Sequence, residues 1–253
     1  MELENTKQAI INFIKTQAGD KPVVLGLSGG LDSSVVAYLS VEALGANKVH
    51  GIIMPSNTNT TEDLELAKLV VENLNIQYSI LDIDNLVETY NNVLDFKPSK
   101  MTLGNLKARI RMSLLYSKAN ELNGLVLGTG NKTEIMTGYS TKHGDAGCDI
   151  LPIGDLYKTD ERELARYIGV PENIIARPPT AGLWEGQTDE EELGITYENL
   201  DKILLALSTQ GGSVPVGENN ESLSDFDNTE IELVQNLIKN SEHKRHLPPI
   251  CKL

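Results

Sequence analysis

Short apolar runs that alternate with helical periodicity are the feature of this sequence that most restricts its fold. Residues 22–27 form a continuous apolar run, which is typical of a strand buried on both faces, and the pattern predicts further strands over 49–54, 76–81 and 125–127. Segments with helical spacing surround them: 4–17, 32–44, 61–74, 84–93, 103–122 and 131–137. Because strands that alternate with helices form right-handed βαβ units, the sequence predicts an α/β fold. We expect a doubly wound, Rossmann-like parallel sheet with helices on both faces.

The regular alternation ends at Gly138. Residues 138–150 and 178–194 are long glycine-rich or acidic segments, and loops of this length in a compact domain are candidates for function. Further helices are predicted over 161–168, 197–207 and 229–239, with a polar, mobile segment over 209–228 and a tail over 241–253. The length of 253 residues and the lack of repeats favour a single domain over residues 1–253.

Charge and cysteine content exclude several classes of function. The chain has 22 Lys and Arg against 36 Asp and Glu, a net charge of −14, so a nucleic-acid partner is not expected. Cys148 and Cys251 make neither a disulfide framework nor a metal-ligand spacing. The N-terminus is polar, and no apolar run reaches the ~18 residues of a membrane span. We therefore expect a soluble, cytoplasmic protein with reduced thiols and no membrane partner.

The strongest functional signal is the segment LGLSGGLDSS, residues 25–34, between the first predicted strand and the next helix. Ligands of open parallel sheets bind at the carboxyl ends of the strands, so this position suits a ligand. Gly29 and Gly30 permit close approach of the backbone, although an ordinary turn is the alternative for two glycines alone. The N–H groups at the helix start and the hydroxyls of Ser28 and Ser33 suit a phosphate or pyrophosphate.

Asp32 narrows the choice of ligand. Its carboxylate would repel a bare phosphate, and its presence favours a Mg²⁺ ion that bridges carboxylate and phosphates. The segment is not a Walker A loop, because no Gly-Lys-Ser/Thr follows at the required spacing. It also lacks the Gly-x-Gly-x-x-Gly pattern of dinucleotide-binding loops.

SGGLDSS resembles the loop of the ATP pyrophosphatases, which cleave ATP between the α and β phosphates and adenylate a substrate. Other segments resemble the NAD synthetases in particular: GTGNKTE at 128–134, GYSTKHGD at 138–145, LPIGDLYKT at 151–159, PTA at 179–181, DEEELG at 189–194 and HKR at 243–245. The resemblance spans about residues 5–250 and matches the ammonia-dependent form. It implies that ATP adenylates deamido-NAD⁺ and that ammonia then gives NAD⁺, with release of AMP and pyrophosphate.

The resemblance also implies a set of site residues. The expected ATP contacts are Gly26, Leu27, Ser28, Gly29, Gly30, Leu31, Asp32, Ser33, Thr129, Lys158 and Thr180. The expected deamido-NAD⁺ contacts are Arg109, Lys142, Asp149, His243 and Lys244. Asp32 and Glu134 are the expected Mg²⁺ ligands, and Asp32, Asp145 and Lys158 are the catalytic candidates. For Asp145 we suggest the role of accepting a proton from ammonium.

Helical spacing over 103–122 separates the basic residues of that segment. Lys107, Arg111 and Lys118 fall on one side, which we interpret as a solvated face without a functional role. Arg109 falls roughly opposite, among mostly apolar residues, where an arginine needs an anion or an ion-pair partner.

Local chemistry leaves structural alternatives open for other candidates. Glu134 also suits the first turn of a helix, Thr129 a helix cap, and residues 243–244 a plain basic tail. Lys158 at a helix start opposes the helix macrodipole, which favours an anionic partner.

The nitrogen source and the assembly follow from length and resemblance. The ATP loop begins at residue 28, so no glutaminase domain is expected and ammonia is the predicted nitrogen donor. The resemblance implies a homodimer. The competing interpretations are another ligase with the same loop, or an ATP-binding regulatory module without catalysis.

Overall fold

A four-stranded parallel sheet forms the centre of the protein. The computed structural model describes residues 2–184, 186–210 and 223–252, so residues 211–222 of the predicted mobile segment lie outside the described residues. The strands are β1 (Val23–Gly26), β2 (Val49–Ile53), β3 (Gln77–Ile80) and β4 (Leu125–Leu127), in the order β3-β2-β1-β4. Val23 of β1 is in register with Val49 and Leu125. All four predicted strands are confirmed.

Helices surround the sheet. They are α1 (Leu3–Ala18), α2 (Leu31–Leu44), α3 (Thr61–Leu74), α4 (Asp84–Val93), α5 (Lys100–Leu122), α6 (Lys132–Thr137), α7 (Lys158–Tyr167), α8 (Glu172–Ile175), α9 (Asp189–Leu193), α10 (Tyr197–Gln210), α11 (Asn228–Asn240) and α12 (Glu242–Arg245). The short helices α8, α9 and α12 were not predicted, because four or five residues give too little periodicity to detect. Helix α7 begins at Lys158 rather than at Glu161.

The side chains of β1 alternate between two cores, which confirms the doubly wound arrangement. Val23 and Leu25 pack with one buried cluster, whose members include Ile14 of α1, Val35 of α2 and Leu164 of α7. Val24 packs on the opposite face with Ile110 of α5. The sheet is therefore covered by helices on both faces.

Helices α10 and α11 form a separate small core beside the sheet. Leu200, Ile203 and Val234 pack there with Tyr157 and Tyr197. This cluster holds α7 and α9 in place next to the carboxyl edge of the sheet. Within the described part of the chain, no helix has the length and apolar character needed to cross a lipid bilayer.

Candidate active site

The loop between β1 and α2 is held by its own serines. The Gly30 N–H donates to Ser28 Oγ (3.1 Å), and Ser33 Oγ donates to the Gly30 carbonyl (3.2 Å). The Ser28 N–H in turn donates to Ser33 Oγ (3.3 Å). These bonds fix the loop in one compact shape in which Ser28, Gly30 and Ser33 line the adjoining cavity.

Gly29 is required by the backbone itself. Its φ is +81°, a region that side chains other than glycine rarely adopt, and a Cβ placed there would lie 2.4 Å from the carbonyl oxygen of Asp63. The loop therefore packs directly against the first turn of α3. This contact explains why Gly29 faces protein while its neighbours face the cavity.

A cavity of about 740 Å³ lies over the carboxyl edge of the sheet. Its size is typical of sites for small molecules and cofactors. Every predicted ATP-contact residue except Gly29 lines it: Gly26, Leu27, Ser28, Gly30, Leu31, Asp32, Ser33, Thr129, Lys158 and Thr180. The same cavity continues past Glu134 to the segment 141–147 and Lys244. One cavity therefore contains the residues predicted to bind the phosphates of ATP and some of the residues predicted to bind the acid substrate.

The buried Lys158 and the partly buried Asp32 form an ion pair in the cavity wall. Lys158 Nζ lies 2.6 Å from Oδ1 and 2.5 Å from Oδ2 of Asp32, and Asn131 Nδ2 donates to Oδ1 at 2.8 Å. Burial would raise the pKa of Asp32, but the charge of Lys158 and these hydrogen bonds hold it below its ordinary value. The predicted anionic partner of Lys158 is therefore Asp32 itself in this structure.

Glu161 completes the surroundings of Lys158. Its fully buried carboxylate lies 3.5 Å from Lys158 Nζ. Burial, together with the negative charge of Asp32, raises the pKa of Glu161 well above its ordinary value. For Lys158, burial opposes the charged form, but the nearby carboxylates outweigh it and raise its pKa. The ammonium group of Lys158 therefore stays protonated near neutral pH.

Glu134 has the structural role that its sequence position allows, and it also lines the cavity. It forms a capping box with Asn131 at the start of α6: the Glu134 N–H donates to Asn131 Oδ1, and the Asn131 N–H donates to Glu134 Oε2. Because Asn131 is the helix cap, Thr129 is not, and Thr129 lines the cavity instead. Burial and the charge of Asp32 raise the pKa of Glu134 well above its ordinary value.

The two carboxylates fit one kind of magnesium site. Asp32 and Glu134 both accept hydrogen bonds from Asn131, which brings them together beside the loop. No group of three or more acidic, histidine or cysteine side chains is placed to hold a metal within the described ranges. Mg²⁺ commonly uses one or two carboxylates and completes its shell with water and substrate phosphates. The donor set therefore fits Mg²⁺ that arrives with a nucleotide, and not a cage made of protein ligands alone.

Four of the five predicted dinucleotide contacts lie together at the edge of the cavity. Arg109 Nε and Nη2 donate to the Lys142 carbonyl (3.3 Å each), and Lys142 Nζ donates to the His243 carbonyl (2.8 Å). Lys244 Nζ bonds to the carbonyls of Gly138 and Ser140, at 2.6 Å each, and is the member of the group that lines the cavity. The basic residues of the C-terminal segment are thus tied to the 138–150 segment, rather than forming a free tail.

Asp149 and Asp145 lie at different places in the 138–150 segment. Asp149 accepts from Tyr116 Oη (3.1 Å) and from the Val126 N–H (2.8 Å), and it does not line the cavity. Asp145 lines the cavity and accepts from the Thr141 N–H at 2.8 Å. Asp145 is exposed to the cavity, but the protein atoms around its carboxylate outweigh that hydrogen bond and raise its pKa.

The interpretation of α5 as a helix with a solvated basic face is wrong. Lys107 is buried and donates to Asn57 and Thr58 (3.1 Å each), while Arg109 is exposed. Arg111 lines the cavity and donates from Nε to the Met54 carbonyl (3.0 Å). Burial lowers the pKa of Arg111 to about 10. The loop after β2 supplies enough polar acceptors to bury two cations, which the helical spacing alone does not reveal.

The acidic segment of α9 contains a site residue that sequence reasoning missed. Asp189 is buried, lines the cavity, and accepts hydrogen bonds from Tyr139 Oη (3.1 Å), Tyr197 Oη (3.1 Å) and the Ala181 N–H (2.9 Å). It therefore ties the segment around Thr180 to α10. The acidic run over 189–192 gave no signal that its first residue is buried and lines the cavity.

Cys148 has no nucleophilic character. Burial, followed by the charge of Asp149, raises the pKa of its thiol to about 11. The raised pKa favours the neutral thiol near neutral pH, and Cys148 is not among the residues that line the cavity.

The fold and the cavity together define an α/β protein of the ATP pyrophosphatase type. A family model described as NAD synthase matches residues 2–248. The NH(3)-dependent NAD(+) synthetase of Methanocaldococcus jannaschii is 51% identical over 254 residues, covering 98% of this chain and 96% of that protein. The chain therefore belongs to the NAD synthase family.

Solved structures agree with this assignment. The NH3-dependent NAD synthetase of Campylobacter jejuni is 31% identical with a TM-score of 0.82, and the comparison covers 100% of both chains. A structure of NMN synthetase from Francisella tularensis is 33% identical with a TM-score of 0.88, again over 100% of both chains. The fold of the whole chain is thus that of enzymes that make nicotinamide nucleotides.

Proposed function

We propose that this chain is an ammonia-dependent NAD⁺ synthetase, a ligase that converts deamido-NAD⁺ to NAD⁺ and releases AMP and pyrophosphate. The observation that carries the proposal is the single cavity that joins the 28–33 loop to residues 141–147. An ATP molecule held by the loop and an acid held at the other end would meet inside it. The names of the relatives at 51% and 31% identity support the same activity.

In the first step, the nicotinate carboxylate attacks the α-phosphorus of ATP, and the bond from that phosphorus to the diphosphate breaks. The products are an acyl-adenylate and pyrophosphate. Because two anions must approach each other, catalysis consists mainly of positioning and charge neutralisation. The 28–33 loop, Lys158 and Thr180 are the groups that we assign to the phosphates.

Mg²⁺ would be held by Asp32 and Glu134 together with the phosphates, and it would supply positive charge where the diphosphate departs. Other residues of the chain already hold these two carboxylates in place. Asn131 holds both carboxylates by hydrogen bonds, and Lys158 keeps Asp32 ionised inside the protein. A nucleotide phosphate that binds Lys158 would free the carboxylate of Asp32 for the ion.

In the second step, neutral ammonia attacks the acyl carbon, and AMP leaves. Ammonium has to lose a proton before it attacks, and Asp145 is our candidate acceptor because it lines the cavity and its pKa is raised. The adenylate provides the leaving group that a free carboxylate lacks. With no reactive thiolate at Cys148, the acyl group is not expected to transfer to the protein.

The cluster of Arg109, Lys142, His243 and Lys244, with Asp149, is the proposed contact surface for the dinucleotide. A second candidate substrate is nicotinate mononucleotide, because a structure described as NMN synthetase matches the whole chain with a TM-score of 0.88. The mononucleotide lacks the AMP half for which an additional subsite would be needed. Comparison of the two acids therefore identifies the substrate.

The deciding experiment incubates the purified protein with ATP, Mg²⁺, ammonium and deamido-NAD⁺, and measures NAD⁺, AMP and pyrophosphate. The proposal expects all three products in equal amounts and none when any component is omitted. Parallel reactions replace deamido-NAD⁺ by nicotinate mononucleotide, or ammonium by glutamine. Preference for the mononucleotide would reassign the substrate, equal use of glutamine would reject the nitrogen source, and ADP in place of AMP would reject the reaction class.

A homodimer is also part of this proposal. Helix α4 has no buried residue, and large apolar side chains of β3, α4, the following connection and the start of α5 are exposed: Tyr78, Ile80, Leu86, Tyr90, Val93, Phe96 and Met101. Exposed apolar surface of this kind marks interfaces. Sedimentation of the protein and of Val93→Glu tests it: the change should yield monomers, and a monomeric wild type would contradict the dimer.

The thiols of Cys148 and Cys251 are free, in keeping with a cytoplasmic location for a single-domain enzyme.

A further inference from the structure

Arg162 is a cationic residue of the cavity wall to which the resemblance gives no role. It lies on α7, one turn after Lys158, and lines the same cavity. Its Nε is buried and has no hydrogen-bond partner. Its guanidinium forms no ion pair with any residue in the described portions of the chain. A buried donor without an acceptor is unfavourable, so this side chain is poised for an acceptor that the protein does not provide.

The other cationic residues of the wall are already engaged. Their partners within the structure are as follows: Lys158 bonds to Asp32, Arg177 to Asp63, Arg111 to the Met54 carbonyl, Lys244 to the Gly138 carbonyl, and Arg245 to the Met136 carbonyl. Arg162 therefore differs from them in having its binding capacity unused. An anionic ligand in the cavity would satisfy it without breaking an existing contact.

Helix geometry places Arg162 at the phosphate end of the cavity. Residues four apart share one face of a helix, and helical side chains lean toward its N-terminus. Arg162 thus leans toward Lys158, whose Nζ contacts Asp32 in the first turn of α2. Arg177 and Thr180 line the same cavity. The Arg162 side chain is therefore directed toward the end of the cavity wall that holds Lys158 and Asp32.

We propose that Arg162 binds the β and γ phosphates of ATP and stabilises them as pyrophosphate departs. This inference rests on the proposed function. As the carboxylate oxygen bonds to the α-phosphorus, the electron pair of the breaking bond goes to the oxygen that joined the α and β phosphorus atoms, which becomes a terminal oxygen of pyrophosphate. Negative charge therefore grows on the diphosphate, where a fixed cation stabilises the transition state more than bound ATP. A guanidinium remains charged and offers paired donors that match phosphate oxygens.

The test measures binding of inorganic pyrophosphate with Mg²⁺ to the full chain by calorimetry, without acid or ammonium. Arg162→Met is compared with Arg166→Met. Arg166 lies one turn further along α7, is exposed, and is 3.6 Å from Glu172, so it is a matched control. Arg162→Met should weaken pyrophosphate binding roughly tenfold or more while AMP binding changes less than about twofold. Arg166→Met should change neither.

Kinetics give a second readout. Arg162→Met should lower kcat/KM for ATP by about tenfold or more and leave KM for deamido-NAD⁺ unchanged. Arg162→Lys keeps the charge but loses the paired donors, so its kcat/KM for ATP should lie between those of wild type and Arg162→Met. If the methionine variant folds poorly, the lysine variant provides the test. Pyrophosphate affinity within about twofold of wild type in the well-folded variants would overturn the inference, as would an equal loss of AMP affinity.

The two proposals fail separately. Because pyrophosphate binding is measured without the acid, a wild-type protein that binds it through Arg162 but forms no NAD⁺ would reject the proposed function alone. A wild type that forms NAD⁺, together with variants that bind pyrophosphate normally, would reject the role of Arg162 alone.

Discussion

Lys158 and Asp32 are 126 positions apart in the chain, yet Lys158 Nζ lies 2.6 Å and 2.5 Å from the two carboxylate oxygens of Asp32. The pair joins the first turn of α7 to the first turn of α2. Both residues were expected to bind parts of Mg²⁺–ATP, and the structure shows that each is also the partner of the other. On the proposed function, the nucleotide exchanges this internal pair for a phosphate on Lys158 and a metal ion on Asp32.

Removal of Lys158 should destabilise the protein in a pH-dependent way. Lys158→Met leaves the partly buried Asp32 and the fully buried Glu161 without their cation, which should cost about 3 kcal/mol at pH 8. In the wild type, the lowered pKa of Asp32 adds stability above its unfolded value of about 3.9. Without Lys158, burial raises this pKa instead, so stability is lost as the pH rises above that value. Urea unfolding at pH 8 and pH 5.5 should show a smaller deficit at pH 5.5.

Lys132→Met is the control for that comparison. Lys132 pairs with Asp155 at 2.8 Å, but Asp155 is almost fully exposed. Its loss should cost less than about 1 kcal/mol. A deficit for Lys158→Met that is the same at both pH values would contradict the account of the buried pair.

Gly29→Ala should damage both stability and activity. A Cβ at this position meets the Asp63 carbonyl at 2.4 Å in addition to the positive φ. Gly45 has the same φ of +81° with nothing within 4 Å of the added Cβ, so Gly45→Ala isolates the cost of backbone strain, about 1–2 kcal/mol. In thermal unfolding, the Tm of Gly29→Ala should be clearly lower than that of Gly45→Ala. Only Gly29→Ala should lose ATP affinity. Equal effects of the two changes would show that the contact with α3 does not matter.

Arg111→Met should destabilise the protein by about 2 kcal/mol, because it leaves the buried Met54 carbonyl without its side-chain donor and removes one of the bonds to the Asn59 side chain. Lys118→Met, on the side of α5 that the sequence placed with Arg111, should change stability by less than about 0.5 kcal/mol. Chemical denaturation of both variants measures the difference. Similar small effects would restore the interpretation of a solvated basic face.

Asp145→Asn should flatten the dependence of the rate on pH and raise the ammonium concentration needed for half-maximal rate. The amide cannot accept a proton from ammonium, whereas the raised pKa of Asp145 makes its carboxylate a better acceptor than an ordinary one. Initial rates across pH 6.5–9 at several ammonium concentrations provide the measurement. Asp155→Asn, outside the cavity, is the control. If the two variants share the wild-type profile, Asp145 is not the proton acceptor.

The sheet and the loop were predictable because each leaves a local pattern. Strands buried on both faces produce continuous apolar runs, as in 22–27, and the loop over 28–33 combines glycines, serines and an aspartate in consecutive positions. The capping box at Asn131 and Glu134 is also local. These features require only neighbouring residues, so a single sequence contains them.

The remaining features depend on contacts between distant segments. The pairing of Lys158 with Asp32 and the inward position of Asp189 are set by tertiary packing. The orientation of α5 was predicted wrongly because helical spacing gives relative angles without showing which side meets a polar loop. Arg162 gave no signal at all, since its distinguishing property is the lack of a partner in three dimensions.

The central claim is that the acid is activated as an acyl-adenylate in the cavity over the 28–33 loop. The most direct test uses deamido-NAD⁺ labelled with oxygen-18 in the nicotinate carboxylate, with mass spectrometry of the products after turnover with ATP, Mg²⁺ and ammonium. The account predicts that one labelled oxygen is transferred to the phosphate of each AMP and none to pyrophosphate. AMP without label, or label released as inorganic phosphate, would contradict it.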